Sequence, residues 1–316
     1  MRILVTGGAG FIGSHLVEFF HDKADVRVLD NLRTGHRRNL EPFDVDFVEG
    51  SILDRSLLDR LMEGVDYVFH LGAFVSVPES VRCPAECIET NTLGTMNVLE
   101  SAAAAGVRKL CFSSSCALYG DVPELPKHES MLPAPTSPYA ISKLSGEHFC
   151  RMFTEQGRLE TAALRYFNVF GPRQDPDSPY AAVVPAFITR ALGGEPLRIF
   201  GDGTQTRDFV YVKDVVRANV HLAVESDATG VLNVAYDSPV AIRRLARLIL
   251  DLTGSDSGIE YAPARPGDVQ HSRAGIGQLE ATGFRPAFTF KGGLEETVAA
   301  FTGALTTANS TTSGND

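Results

Sequence analysis

Residues 5–16 read "VTGGAGFIGSHL". Gly7, Gly10 and Gly13 satisfy G-x-x-G-x-x-G, and Gly8, Gly10 and Gly13 satisfy G-x-G-x-x-G. Either pattern alone is weak, because glycines also simply turn a chain. Its surroundings carry more. The run before it, "RILVTG", has strand character, and "FIGSHLVEFFHDK" after it has helical periodicity. Glycines between a strand and a helix let the backbone approach a pyrophosphate, whose charge meets the N–H groups and positive dipole of the helix start. Asp30 closes the next strand-like run, "DVRVLD", 20 residues past Gly10. A carboxylate there accepts hydrogen bonds from a ribose diol and repels a 2′-phosphate, so the pattern predicts a dinucleotide site preferring NAD to NADP. Arg33 tempers that preference without reversing it.

Outward from this turn, short apolar runs alternate with longer amphipathic stretches. "VDFVEG", "VDYVFHLGA", "VRKLCFSSS" and "TAALRYFNVFG" read as further strands, and "CIETNTLGTMNVLESAAAAG" and "SPYAISKLSGEHFCRMFTEQ" as helices. Strands that are apolar throughout imply a parallel sheet covered on both faces. The expected class is therefore α/β, a doubly wound parallel sheet of the Rossmann kind spanning residues 1–170. Past Gly171 the alternation weakens into loops rich in Pro, Gly and Asp, such as "PRQDPDSPYAAVVP" and "IFGDGTQTRDF". Residues 171–304 are read as a smaller substrate-binding lobe with segments returning to the sheet, and 305–316 as a polar, disordered tail.

The bulk composition narrows the function classes. The 316 residues are 44% hydrophobic, enough for a large core, and carry a formal charge of -10. An acidic surface argues against nucleic acid and anionic membranes as partners. The first residues enter a strand pattern without a basic-then-apolar leader, and no apolar run approaches membrane-spanning length. Cys83, Cys87, Cys111, Cys116 and Cys150 form neither a disulfide framework nor a zinc pattern. The expectation is a reduced, soluble, cytoplasmic protein with no metal.

"SPYAISK" places Tyr139 and Lys143 on one face of a helix. A surface pair is the bland explanation. The chemical one is a general base: a phenol titrates near pH ~10, and an adjacent ammonium together with a positively charged oxidised nicotinamide favours its phenolate. "CFSSSCALYG" favours the chemistry, because it ends a strand at the carboxyl edge where such sheets bind ligands. A serine hydroxyl there reaches the same substrate oxygen as Tyr139.

Glycine turn, Asp30, strand-end serines, Tyr139 and Lys143, in this order, resemble the extended short-chain dehydrogenase/reductase family, and within it the NAD-dependent nucleotide-sugar epimerases, over about residues 1–300. The resemblance implies Ser115, Tyr139 and Lys143 as catalytic residues, Tyr139 as base and Lys143 also on the nicotinamide ribose. It implies NAD contacts from Gly7, Gly10, Phe11, Ile12 and Gly13 in the turn, and from Asp30 and Asn31 after the second strand. Ser51 and Ile52, Leu71 and Ala73, and Asn91 complete the set. Relatives usually carry Asp-Ile where this chain has Ser51-Ile52, which implies a weaker adenine contact. Dehydratases of the family carry Asp-Glu after the catalytic hydroxyl and decarboxylases a Glu; Cys116-Ala117 offers neither.

The same resemblance implies Asn168, Arg207 and Arg265 on a substrate diphosphate, Asp268 on the uridine ribose, and Ser272 as a size gate beside the sugar C2 substituent. Arginines suit a diphosphate through their bidentate fork. Small residues at Ser114, Ala182 and Ser272 imply room for an N-acetyl group. The expected activity is C4 epimerisation of UDP-GlcNAc/UDP-GalNAc, with UDP-glucose/UDP-galactose as further substrates. His271 reads as a packing or surface residue. The two apolar-striped helices imply a homodimer through a four-helix interface, or else simple packing on the sheet. Three alternatives stay open: a dehydratase or dehydrogenase of the same family, a UDP-uronic acid 4-epimerase, and a non-catalytic nucleotide sensor.

Overall fold

The apolar runs of the first half become strands β1 (Arg2–Thr6), β2 (Asp25–Asp30), β3 (Asp46–Glu49), β4 (Tyr67–His70), β5 (Lys109–Ser115) and β6 (Glu160–Tyr166) in a computed structural model that describes residues 1–176, 182–264 and 269–312. They are followed by β7 (Asn168–Phe170), β8 (Leu197–Phe200), β9 (Thr206–Tyr211), β10 (Gly230–Val234), β11 (Pro239–Ala241) and β12 (Ile259–Ala262). The central sheet has the order β3-β2-β1-β4-β5-β6-β10, and every pairing in it is parallel. Strand order reverses between β1 and β4, the point at which such sheets open a crevice for ligand at their carboxyl edge.

β1 shows why the sheet is buried on both faces. Successive side chains of a strand point to opposite faces. Ile3 and Val5 enter one core with Leu16, Val17 and Phe20 of helix α1 (Phe11–Phe20), while Leu4 enters a second core with Val98, Leu99 and Phe153. Val98 and Leu99 come from the helix Gly94–Ala104, and Phe153 from the helix Pro138–Glu155.

The structure departs from the expectations in three places. "TAALRYFNVFG" is two strands, because the chain leaves the main sheet at the buried Phe167; β7 then joins β9 and β11 in a small separate sheet. The long helix expected over "CIETNTLGTMNVLESAAAAG" is interrupted by a π-helical turn, Glu89–Leu93, before Gly94–Ala104. Such turns re-aim side chains, and this one carries Asn91. Finally, the last helix, Phe290–Thr312, continues past residue 304, where a disordered tail is expected. Its early turns are anchored by the buried Leu294 and Val298 beside Phe170, Phe209 and Tyr211, so nucleation is met by packing and each added residue costs little.

β10 returns from the second half to the edge of the main sheet, and β8 and β12 form a parallel pair. Among the described residues no helix is long and apolar enough to cross a membrane, and no cluster of acidic, histidine and cysteine side chains is placed to hold a metal.

Candidate active site

The glycine turn is shaped by close approach. Gly7 has φ +72, and a Cβ there would lie 2.7 Å from the Gly72 nitrogen; at Gly13 a Cβ would lie 2.1 Å from the Gly7 carbonyl oxygen. A side chain at Gly7 would press on the loop after β4, and one at Gly13 would separate α1 from the end of β1. At Gly10 a Cβ would meet only the Gly7 carbonyl oxygen, at 3.2 Å, so its outer side is open. Gly10 is also the N-cap of α1, and no side chain caps that helix start. An open helix N-terminus on a glycine turn fits a dinucleotide pyrophosphate.

Asp30 sits beside the turn and is nearly buried. Its Oδ2 accepts from the Ala9 N–H at 3.0 Å and its Oδ1 from the Leu32 N–H at 2.8 Å. Burial raises its pKa, against those two hydrogen bonds. Each oxygen keeps a second lone pair for a ribose hydroxyl. Arg33 is engaged by other side chains. Its guanidinium bonds Glu86 and Glu79, the latter at 3.1 Å, and lies 4.5 Å over the Phe74 ring. Two carboxylates thus already meet the cation that would otherwise suit a 2′-phosphate.

Leu71 and Ala73 follow β4, where Thr6 Oγ1 accepts from the Gly72 N–H at 3.1 Å. His70 braces the same place between Thr6 and Thr95, and burial drops its pKa to about 3, so it stays neutral. Asn91 turns its amide inward to protein partners. It is 2% exposed; its Oδ1 accepts from the Phe74 N–H at 2.7 Å, and its Nδ2 donates to the Phe74 carbonyl at 3.0 Å and to Ser142 Oγ at 2.9 Å. The π-helical turn aims the amide inward, where it ties the loop after β4 to the Tyr139 helix. Ser51 spends its hydroxyl locally, accepting from the Leu53 N–H at 3.1 Å, while Ile52 is buried in the core.

The catalytic candidates converge at the carboxyl end of β5. Ser137 caps the helix Pro138–Glu155 by accepting from the Ala140 N–H, which sets Tyr139 in the first turn. The Ser115 hydroxyl favours the Tyr139 phenolate, Ser115 Oγ accepts from the Ala117 N–H at 3.1 Å, and Lys143 Nζ donates to the Ser113 carbonyl at 2.7 Å. Lys143 Nζ lies 5.8 Å from the Tyr139 ring centroid and 5.0 Å from that of Phe112. The ammonium alone does not bring the phenol toward neutrality. Burial pushes the Tyr139 phenol up to about 12, only partly opposed by Ser115, and burial lowers Lys143 to about 8. Lowering Tyr139 into the working range therefore requires a further positive charge beside it, which the oxidised nicotinamide ring carries.

Ser114 is a correction. It is 2% exposed, and its Oγ donates to Glu147 Oε1 at 2.5 Å, beneath the site. Strand alternation puts Ser113 and Ser115 on one face and Ser114 on the other, where its hydroxyl is taken up by Glu147. Cys116 and Ala117 bring neither acid nor base next to Ser115, and burial raises the Cys116 thiol to about 11.

A cavity of about 250 Å³ opens beside Cys116 and brings together Asn168, Arg207 and Ser272. Asn168 Nδ2 donates to the Asp208 carbonyl at 3.2 Å, and Arg207 Nη1 to the Thr206 carbonyl at 2.9 Å. Ala182 does not line this cavity: it is exposed and caps the helix Val183–Leu192 from outside. Arg265 and Asp268 lie outside the described residues. Sequence reasoning missed Lys127 and Phe167 as lining residues and underrated His271, which lines the cavity and bonds Thr206 Oγ1 at 3.1 Å. Its adjacency to Ser272 was the available signal.

Residues 3–235 match the family described as "NAD dependent epimerase/dehydratase family". The UDP-glucose 4-epimerase of Mycolicibacterium smegmatis is 37% identical over 309 residues, 95% of this chain and 98% of the relative. A UDP-N-acetylglucosamine 4-epimerase from Methanobrevibacter ruminantium, solved with UDP-N-acetylmuramic acid, superposes with a TM-score of 0.93 at 42% identity, covering 96% of this chain and 98% of that one. A UDP-glucose 4-epimerase from Thermotoga maritima, solved with UDP-glucose, gives 0.91 at 41% identity, covering 96% and 100%.

Proposed function

Because the chain belongs to the NAD dependent epimerase/dehydratase family, as an NAD-dependent UDP-sugar 4-epimerase, we propose that its substrates are UDP-GlcNAc and UDP-GalNAc, with UDP-glucose and UDP-galactose also turned over. The observation that carries this choice is Ser272 in the cavity that also holds Asn168 and Arg207: a small side chain there leaves volume for an acetamido group. The similarity to an N-acetylglucosamine epimerase supports the same reading.

Bound NAD supplies a hydride acceptor and donor for the sugar C4, so oxidation to a 4-keto sugar and return of hydride to its other face interconvert the epimers. Tyr139 Oη takes up the C4 hydroxyl proton and returns it. Ser115 hydrogen-bonds the reacting oxygen. Lys143, fixed on the Ser113 carbonyl, holds positive charge near Tyr139 and a donor for the cofactor ribose. Arg207 and Asn168 hold the diphosphate, joined in this proposal by Arg265, with Asp268 on the uridine ribose, while the sugar stays free to turn.

Ser272→Tyr tests the gate. We expect kcat/KM for UDP-GlcNAc to fall about 100-fold, with UDP-glucose turnover largely kept; equal losses for both sugars would reject Ser272 as the discriminating residue. The uronic acid alternative needs a cation for a C6 carboxylate, and Lys127 and His271 at the cavity wall keep it as the runner-up.

The proposal includes a homodimer. Ile88, Leu93 and Ile141 are 38%, 52% and 47% exposed on the two helices expected to pair, and Ile88, Leu93, Met96 and Phe149 line one apolar groove between them. Sedimentation should give a dimer, and Leu93→Glu should shift it toward monomer; a wild-type monomer would refute the interface. Its free cysteines suit the reducing cytoplasm in which we place it.

A further inference from the structure

The geometry points to Arg33 as a clasp that holds the cofactor in its cleft, a positioning role distinct from recognising a phosphate. Arg33 follows β2, whereas its partners Phe74, Glu79 and Glu86 all follow β4. In the sheet, β2 and β4 are the two neighbours of β1. A side chain that joins them must cross the carboxyl edge of β1, where the glycine turn begins. A dinucleotide seated on that turn lies under the bridge.

Both abutments are rigid. On one side, the loop carrying Arg33 is tied to the glycine turn: the His36 N–H and Asn39 Nδ2 both donate to the Ala9 carbonyl, at 3.0 and 2.9 Å, and the Leu32 N–H donates to Asp30. On the other side, Phe74 is 1% exposed and its backbone is pinned by Asn91. Glu79 and Glu86 lie on the short helices Val77–Arg82 and Pro84–Ile88. The bridge between these supports is a single side chain, 35% exposed, whose ion pairs face solvent. It is therefore a link that opens without disturbing either support, and one that salt weakens.

The chemistry gives the clasp its use. An epimerase takes hydride from the sugar and returns it in the same turnover, so a cofactor that escapes between the two steps strands a keto sugar. The inference rests on reading this edge as the NAD site.

The test is NAD release from purified holoenzyme, measured by rapid gel filtration and assay of the nucleotide that remains, at low salt and at ~1 M salt, where the Debye length falls to about 3 Å. Arg33→Met keeps an apolar stem but removes both ion pairs and the guanidinium over Phe74. Glu79→Gln/Glu86→Gln keeps Arg33 and serves if the first variant does not fold. Release about tenfold faster from either variant at low salt, with wild type approaching them at high salt, supports the clasp. Release equal to wild type at both salt concentrations overturns it. So does a variant that loses only NADP binding, because Arg33 would then be a phosphate-recognising residue. Wild type that binds no NAD overturns the cofactor reading and the clasp together, whereas wild type and variants that retain NAD equally overturn the clasp alone.

Discussion

Tyr139→Phe should lower kcat for C4 epimerisation by ~10²–10⁴-fold, the contribution of a positioned acid–base group, while NAD remains bound. The variant removes the hydroxyl proposed as the proton acceptor, whose phenolate Ser115 favours and which stands one helical turn from Lys143. The ring that packs beside Lys143 is kept, so the cleft should not collapse. The same variant reports on the electrostatics. Difference titration of wild type against Tyr139→Phe, in protein stripped of NAD, should place the phenol ionisation near pH 12. Rebinding NAD should move it down, because a positive charge beside a phenol favours the phenolate. A phenol already ionised at neutral pH without cofactor would contradict the burial argument, and an active Phe variant would remove Tyr139 from the reaction.

Arg165→Met should destabilise the fold by ~3–5 kcal/mol, because it leaves a buried carboxylate uncompensated. Arg165 and Glu147 are 3% and 4% exposed and pair through two hydrogen bonds of 2.8 Å, with Ser114 donating to the same carboxylate. The Arg165 guanidinium also lies 4.8 Å over the Tyr119 ring. This pair clamps β6 to the Tyr139 helix beneath the candidate catalytic groups. Chemical denaturation checks the loss. Replacing both residues with Met should recover most of it, since two apolar side chains leave no unpaired charge. A double variant as unstable as the single one would show that the pair contributes more than mutual neutralisation.

The order of the site along the chain was legible because each group is tied to a local pattern. A glycine turn between strand and helix, an acid at the next strand end, and tyrosine and lysine one turn apart can be read without knowing the fold. The sheet was legible for the same reason: apolar strands separated by helices have few arrangements. The failures are equally local. Ser114 looked equivalent to its neighbours in "SSS", and only strand pairing decides which face each serine takes. The inward orientation of Asn91 depends on a π-helical turn that no propensity announces. Lys127 and His271 reach the cavity from segments far apart in sequence, joined to each other through the bridges Lys127–Ala274 and Thr206–His271. The phenol's high pKa follows from burial, which composition does not reveal.

The most direct measurement is incubation of the purified protein with UDP-GlcNAc, and separately with UDP-glucose, with no added cofactor, followed by proton NMR. Conversion of each to its C4 epimer without net formation of NADH is the predicted result, with NAD retained from purification and room for the acetamido group beside Ser272. Conversion of UDP-glucose alone would contradict the gate, and conversion of neither by protein that contains NAD would contradict the substrate assignment itself.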